Sequence, residues 1–126
     1  MKVQTGIDII EVHRIQEAIE KQGEKFLNHI YTKNEIEYCE HTNKMKYQHY
    51  AARFAAKEAI FKAISNKIQN ETGEFWTKIE IKTSKNGRPI ANLERLNLEK
   101  IESMDLSLSH LKEYAVASFI ITFKDE

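Results

Sequence analysis

Residues Tyr50 to Ser65 read YAARFAAKEAIFKAIS, and alanine, the strongest helix former, supplies six of the sixteen. At about 100° per residue, Ala55, Ala56, Ala59, Ile60, Ala63 and Ile64 cover more than half of the helical wheel. Phe54 and Phe61 stack on the side opposite Ala59 and Ala63. A helix that is apolar nearly all round is enclosed by the rest of its fold, so this stretch is the centre of the chain. Four charges interrupt it: Glu58 and Lys62, one turn apart and flanked by the two phenylalanines, and Arg53 and Lys57 beside Ile60 and Ile64. Ionised groups in such surroundings need partners. Taken alone, Glu58 and Lys62 read as an i,i+4 pair worth a few tenths of a kcal/mol.

At 126 residues the chain has the length of a single domain over 1–126, able to bury about two thirds of the surface its unfolded form exposes. Lys plus Arg and Asp plus Glu balance at 19 each, so the global basic field of a general nucleic-acid binder is missing. The lone Cys39 cannot form an intramolecular disulfide, and no charged-then-apolar leader opens the sequence. Both are expected of a reducing cytoplasm. No apolar run approaches the roughly 18 residues of a membrane span. One Pro and four Gly leave no linker at which to divide the chain.

Outward from the central stretch, Val3 to Ile10 reads as a strand and Glu11 to Lys21 as an amphipathic helix ended by Gly23. Asp8 then sits near a strand-to-helix junction, where a carboxylate commonly serves as a cap. Phe26 to Tyr31 forms another apolar face. Thr32-Lys33-Asn34-Glu35 is a capping box opening a short helix from Lys33 to about His41. Asn43 is expected to cap the long helix, placed at Lys44 to about Asn66. A polar loop from Asn66 to Glu74 follows. Trp76 to Thr83 alternates as a half-buried strand, and Asn86-Gly87 with Pro89 beyond it predicts a hairpin over Trp76 to Leu93. Leu93 to Ile101 has the spacing of a short helix. Leu106 to Ser109 and Tyr114 to Phe123 read as antiparallel strands, with Ala115 and Ala117 small enough for the central helix to pack closely. The expected class is α+β: a long central helix packed against a small antiparallel sheet.

Three stretches, in order along the chain, resemble the motifs of the 4′-phosphopantetheinyl transferase superfamily, of the short single-domain type. Gly6-Ile7-Asp8-Ile9-Ile10-Glu11-Val12-His13-Arg14-Ile15 is similar to the opening motif, Arg53 to Ala63 to the central one, and Leu108-Ser109-His110 before Tyr114-Ala115-Val116-Ala117 to the third. The turn Asn86-Gly87-Arg88-Pro89 resembles one that lies against the coenzyme's adenine end. The resemblance implies that the chain transfers 4′-phosphopantetheine from coenzyme A to the serine hydroxyl of an apo-acyl-carrier protein, with 3′,5′-ADP leaving, in fatty acid biosynthesis. It implies Mg²⁺ on Asp8 and Glu58, and coenzyme contacts from Arg53, Lys62, Asn86, Gly87, Arg88, Pro89 and His110. By the same resemblance Arg14 would touch the carrier; outside the motif, Lys21 and Lys25 are further basic side chains on that segment, and Phe26 reads as a core residue before an apolar anchor. Two features depart from the family: Ser65-Asn66-Lys67-Ile68 stands where many members have a glycine-containing turn, and only one glycine precedes Asp8.

The residue types suit that chemistry. Two hard carboxylates leave most of an octahedral shell open for substrate phosphates, as Mg²⁺ prefers. Lys62 and His110 would offset charge on the cleaved diphosphate, and Glu58 is the candidate acceptor of the serine proton. No nucleophile elbow or Cys-His pattern surrounds Cys39, as expected of direct transfer. The resemblance further implies a homotrimer with sites between subunits. Asp8 and Glu58 are therefore expected to meet from different chains, or at least His110 to come from a subunit other than the one supplying both carboxylates. Two rival readings are a non-catalytic nucleotide-binding or oligomerisation domain on the same scaffold, and a small nucleic-acid-binding module, which the charge balance disfavours. A polyketide or peptide carrier stands as the alternative to a fatty-acid carrier.

Overall fold

The computed structural model describes residues 1–68 and 74–125. In chain order these form β1 (Lys2–Glu11), α1 (Val12–Gln22), α2 (Glu24–Ile30), α3 (Lys33–Glu40) and α4 (Lys46–Ile64). After them come α5 (Phe75–Lys78), β2 (Glu80–Thr83), β3 (Pro89–Asn92), β4 (Ile101–His110) and β5 (Tyr114–Phe123). Single 3-10 turns occupy Asn43–Met45 and Glu94–Leu96. A three-stranded antiparallel sheet has the order β1-β5-β4, and β2 and β3 make a separate hairpin. The expected α+β class and the helix-on-sheet packing are what the structure shows.

Helix α4 is buried on almost every side, from Tyr50 through Ile64, because its alanines let other elements approach from all directions. On one side Ala55, Ala59, Ile60, Ala63 and Ile64 pack with Ala117, Phe119, Ile121 and the hairpin's Ile81 and Ala91. On the other, Tyr50, Ala51 and Ala52 meet Val12, Ile15 and Ile19 of α1 with Ile30 and Tyr31. Each fully buried isoleucine contributes roughly 1.5–3 kcal/mol. Strand β1 comes closest at Gly6, where an added Cβ would lie 1.8 Å from the Ala59 carbonyl oxygen. Only glycine permits that crossing.

Several boundaries differ from expectation. Asn43 does not cap α4: it begins the 3-10 turn at φ +49°, and Met45 stands at the N-cap with no side-chain bond. Trp76 to Lys78 is a helical turn rather than strand, because the Trp76 carbonyl accepts a hydrogen bond from Lys57 Nζ at 2.9 Å and is thus turned away from any ladder. Of the helix expected over Leu93 to Ile101 only Glu94–Leu96 forms, ended by Asn97 in the left-handed region. Strand β4 begins at Ile101, and a register shift between Ile101 and Ser103 breaks the alternation that would have announced it. The expected loop from Asn66 to Glu74 lies largely outside the described residues.

Candidate active site

Asp8 follows Gly6 by two positions on β1, so it points to the same inward face, toward α4. The crossing at Gly6 and Ala59 therefore carries Asp8 to the stretch of helix that holds Glu58 and Lys62. Lys62 Nζ donates to Ile7 O at 2.9 Å and lies 3.2 Å from Asp8 Oδ1. The lysine is about half exposed and the aspartate largely covered, at 52% and 16%. Glu58 is half-buried, with Phe54 and Phe61 one turn away on either side along α4, and their rings in turn meet Trp76 and Phe75. Burial, then the neighbouring Asp8 charge, raises its pKa above the ordinary carboxylate value, with Lys62 opposing. One exposed ammonium thus faces two carboxylates, an arrangement with a surplus of negative charge.

That donor set suits a divalent cation taken jointly with a substrate. Among the described residues no group of three or more His, Cys, Asp or Glu side chains could hold an ion, so Asp8 and Glu58 can supply only part of a shell. Mg²⁺ is commonly bound in this way, by one or two carboxylates plus phosphates and water.

Asp8 and Glu58 come together within one chain, which corrects the expectation that they meet from different ones. The physical reason is the Gly6 crossing: it packs β1 against the α4 of the same chain. His110 ends β4 and lies elsewhere, with Nδ1 2.7 Å from Gln48 Oε1. Gln48 precedes Glu58 by ten residues on α4, or about 15 Å of helix.

A second cluster gathers around His110. His49 packs edge-on to it with centroids 5.2 Å apart, Tyr38 lies 5.6 Å from His49, and the Arg53 guanidinium sits 4.2 Å over Tyr38. Arg53 is 3% exposed and donates from Nη2 to Thr83 Oγ1 at 2.9 Å. Its Nε is buried without a partner among the described residues. Thr83 leads into the turn, where Gly87 adopts φ +85° and Asn86 Oδ1 accepts from Ser84 Oγ. Arg88 Nη2 donates to both carboxylate oxygens of Asp105, at 2.9 Å to Oδ1 and 2.7 Å to Oδ2. Thus His110, Arg53 and the 86–89 turn share one flank, and Asp8, Glu58 and Lys62 another. Arg14, Lys21 and Lys25 are exposed on the α1–α2 surface, and Phe26 is half-buried beside Tyr31.

Three residues of these clusters escaped the motif reading. Lys57 is fully buried, with Nζ donating to Glu35 Oε1 and Ile30 O, both at 2.7 Å, besides Trp76 O. Glu35 also accepts from Thr32 N and Ile81 N, so the capping residue doubles as the lysine's counter-ion. An unpaired charge in an apolar helix was the signal for Lys57. Gln48 and His49 carried none.

The family model of the 4′-phosphopantetheinyl transferase superfamily matches residues 4–122, and the chain belongs to that superfamily. Within it the similarity runs to holo-[acyl-carrier-protein] synthases. That of Ruminiclostridium cellulolyticum is 44% identical over 99% of this chain and 96% of its own length; that of Chloroherpeton thalassium is 46% identical over 94% and 97%. Among solved structures, the Bacillus anthracis synthase in complex with CoA (3′,5′-ADP) superposes with a TM-score of 0.76 at 34% identity, covering 94% of each chain. The Helicobacter pylori synthase in complex with coenzyme A gives 0.78 at 31% identity, over 94% of this chain and 99% of that one.

Proposed function

We propose that this chain transfers the 4′-phosphopantetheine group of coenzyme A to a serine of apo-acyl-carrier protein, yielding holo-carrier and 3′,5′-ADP, in fatty acid biosynthesis. The observation that carries the reading is the convergence of Asp8, Glu58 and Lys62 at the β1–α4 crossing. Asp8 and Glu58 would hold Mg²⁺, which when bound supplies charge neutralisation on the coenzyme diphosphate. Lys62 donates to the same phosphate oxygens. The serine oxygen attacks phosphorus, its proton passes to Glu58, and the bond to 3′,5′-ADP breaks with the leaving oxygen keeping the electron pair. Since transfer is direct, most of the catalysis lies in positioning and electrostatics.

The second cluster would hold the coenzyme's nucleotide end through Arg53, Asn86, Gly87, Arg88, Pro89 and His110. The Nε of Arg53, without a partner among the described residues, supports a polar group of the coenzyme meeting it there. A homotrimer accounts for both half-sites: the neighbour's nucleotide half meets this chain's carboxylates. The outer face of β1 supports such an assembly, since Val3, Ile7 and Ile9 are exposed at 53%, 63% and 65%, with Ile120 of β5 at 44%. Arg14, exposed on α1, is assigned to the acidic carrier. A cytoplasmic setting accords with the single buried thiol, Cys39.

Incubation with coenzyme A, Mg²⁺ and an apo-carrier, followed by intact-mass measurement of the carrier, tests the reading. A gain of one phosphopantetheine is expected. No gain with several acyl carriers rejects it in favour of a non-catalytic scaffold.

A further inference from the structure

The oxygen of the Gln48 side chain lies 2.7 Å from Nδ1 of His110. An amide oxygen has no proton to give, so Nδ1–H donates and Gln48 accepts. In the neutral ring Nε2 is then a bare lone pair, and it becomes a donor only when the imidazole takes a second proton. His49 closes one side of the ring at 5.2 Å. Burial, then His110 and Arg53, push the pKa of His49 down, so His49 favours its neutral form. Tyr38 and Arg53 face His49. Toward solvent, Gln48 lines a cavity of about 390 Å³ whose titratable groups are Glu11, His13, Lys44, Tyr47, Lys112, Glu113 and Tyr114.

We propose that Gln48 is a positioning residue: it commits Nδ1 of His110 as a donor and thereby makes Nε2 a proton-gated donor toward an anionic oxygen of the coenzyme. This rests on the reading that His110 contacts coenzyme A. A phosphate oxygen meets a lone pair on the neutral ring and an N–H with positive charge on the imidazolium. Coenzyme binding therefore takes up a proton, and Kd rises with pH as His110 loses it.

Calorimetric titration with coenzyme A from about pH 5.5 to 8.5 on wild type, Gln48→Glu, Gln48→Leu and His110→Gln tests this. Wild-type Kd should weaken toward tenfold per pH unit, the limit for one linked proton. Gln48→Glu keeps the acceptor and adds a charge, so the weakening starts at higher pH. Gln48→Leu frees Nδ1, the neutral ring can then carry its proton on Nε2, and the dependence flattens. The coenzyme's own phosphate monoester titrates near pH 6; His110→Gln retains that contribution and loses the protein's. Wild-type binding by His110→Gln at every pH overturns the coenzyme role of His110 on which the proposal stands. Loss of the pH step in His110→Gln, with the step intact in Gln48→Leu, overturns the role of Gln48 alone. Imidazole nitrogen NMR of the free protein needs no coenzyme: His110 should be the Nδ1–H tautomer in wild type and a mixture in Gln48→Leu, and an Nε2–H tautomer in wild type overturns the proposal. Gln48 is only half-buried, and circular dichroism confirms that the variants fold.

Discussion

Lys62 reaches across to Asp8, 3.2 Å from Nζ to Oδ1, and does not close the i,i+4 pair with Glu58 on its own helix. Glu58 is left half-buried, with a pKa raised by burial and by Asp8. A carboxyl with a raised folded pKa costs nothing below the unfolded pKa, where both states are protonated. As pH climbs, the unfolded state ionises first and stability declines until the folded group ionises too. Glu58→Gln should therefore raise Tm by a few degrees at pH 7.5 and leave it nearly unchanged near pH 4. Equal shifts at both pH values in thermal melts would remove the charge coupling.

Gly6→Ala forces a methyl into the Ala59 carbonyl, 1.8 Å from the ideal Cβ position. The strand must lift from the helix, at a cost of roughly 1–3 kcal/mol, or a Tm drop of about 4 °C per kcal/mol. Because Asp8 rides on the same strand, activity should fall more than stability explains. A variant with wild-type kcat and Tm contradicts the crossing.

The Lys57–Glu35 pair is sealed on both sides. Removing either partner strands the other charge, so Lys57→Met or Glu35→Leu alone should cost about 3–5 kcal/mol. The double substitution should cost clearly less than the sum. Additive single effects in denaturant titrations would show that the two groups are not coupled.

If half-sites join between copies, Ile7→Asp or Ile9→Asp on the exposed strand face should give monomers by light scattering with loss of transfer. Mixing inactive Glu58→Ala with inactive His110→Ala should restore part of the activity, since some mixed assemblies rebuild an intact site. No recovery after subunit exchange would place the whole site within one chain.

Much of this was legible in the residues because it rests on local rules. The Thr32 and Glu35 capping box forms as written, with both reciprocal bonds; the alanine-rich helix is enclosed as its pattern requires, and Asn86-Gly87 turns the hairpin. What stayed hidden depends on contacts distant in sequence. Glu35 read as a cap, and nothing local reveals that its carboxylate also meets Lys57 and Ile81 N. Trp76 alternates like a strand residue until the Lys57 ammonium claims its carbonyl. At the site, Asp8, Glu58 and Lys62 stood out by motif, whereas Gln48 is an ordinary polar residue on a helix, distinguished only by where β4 ends.

The most direct test of the account is a crystal grown with Mn²⁺ and coenzyme A, examined by anomalous scattering. One manganese per chain is predicted within coordinating distance of Asp8 and Glu58 of the same chain and of the coenzyme diphosphate, and it should vanish in Glu58→Ala. A coenzyme bound with its metal away from both carboxylates, or an undiminished metal peak in that variant, would contradict it.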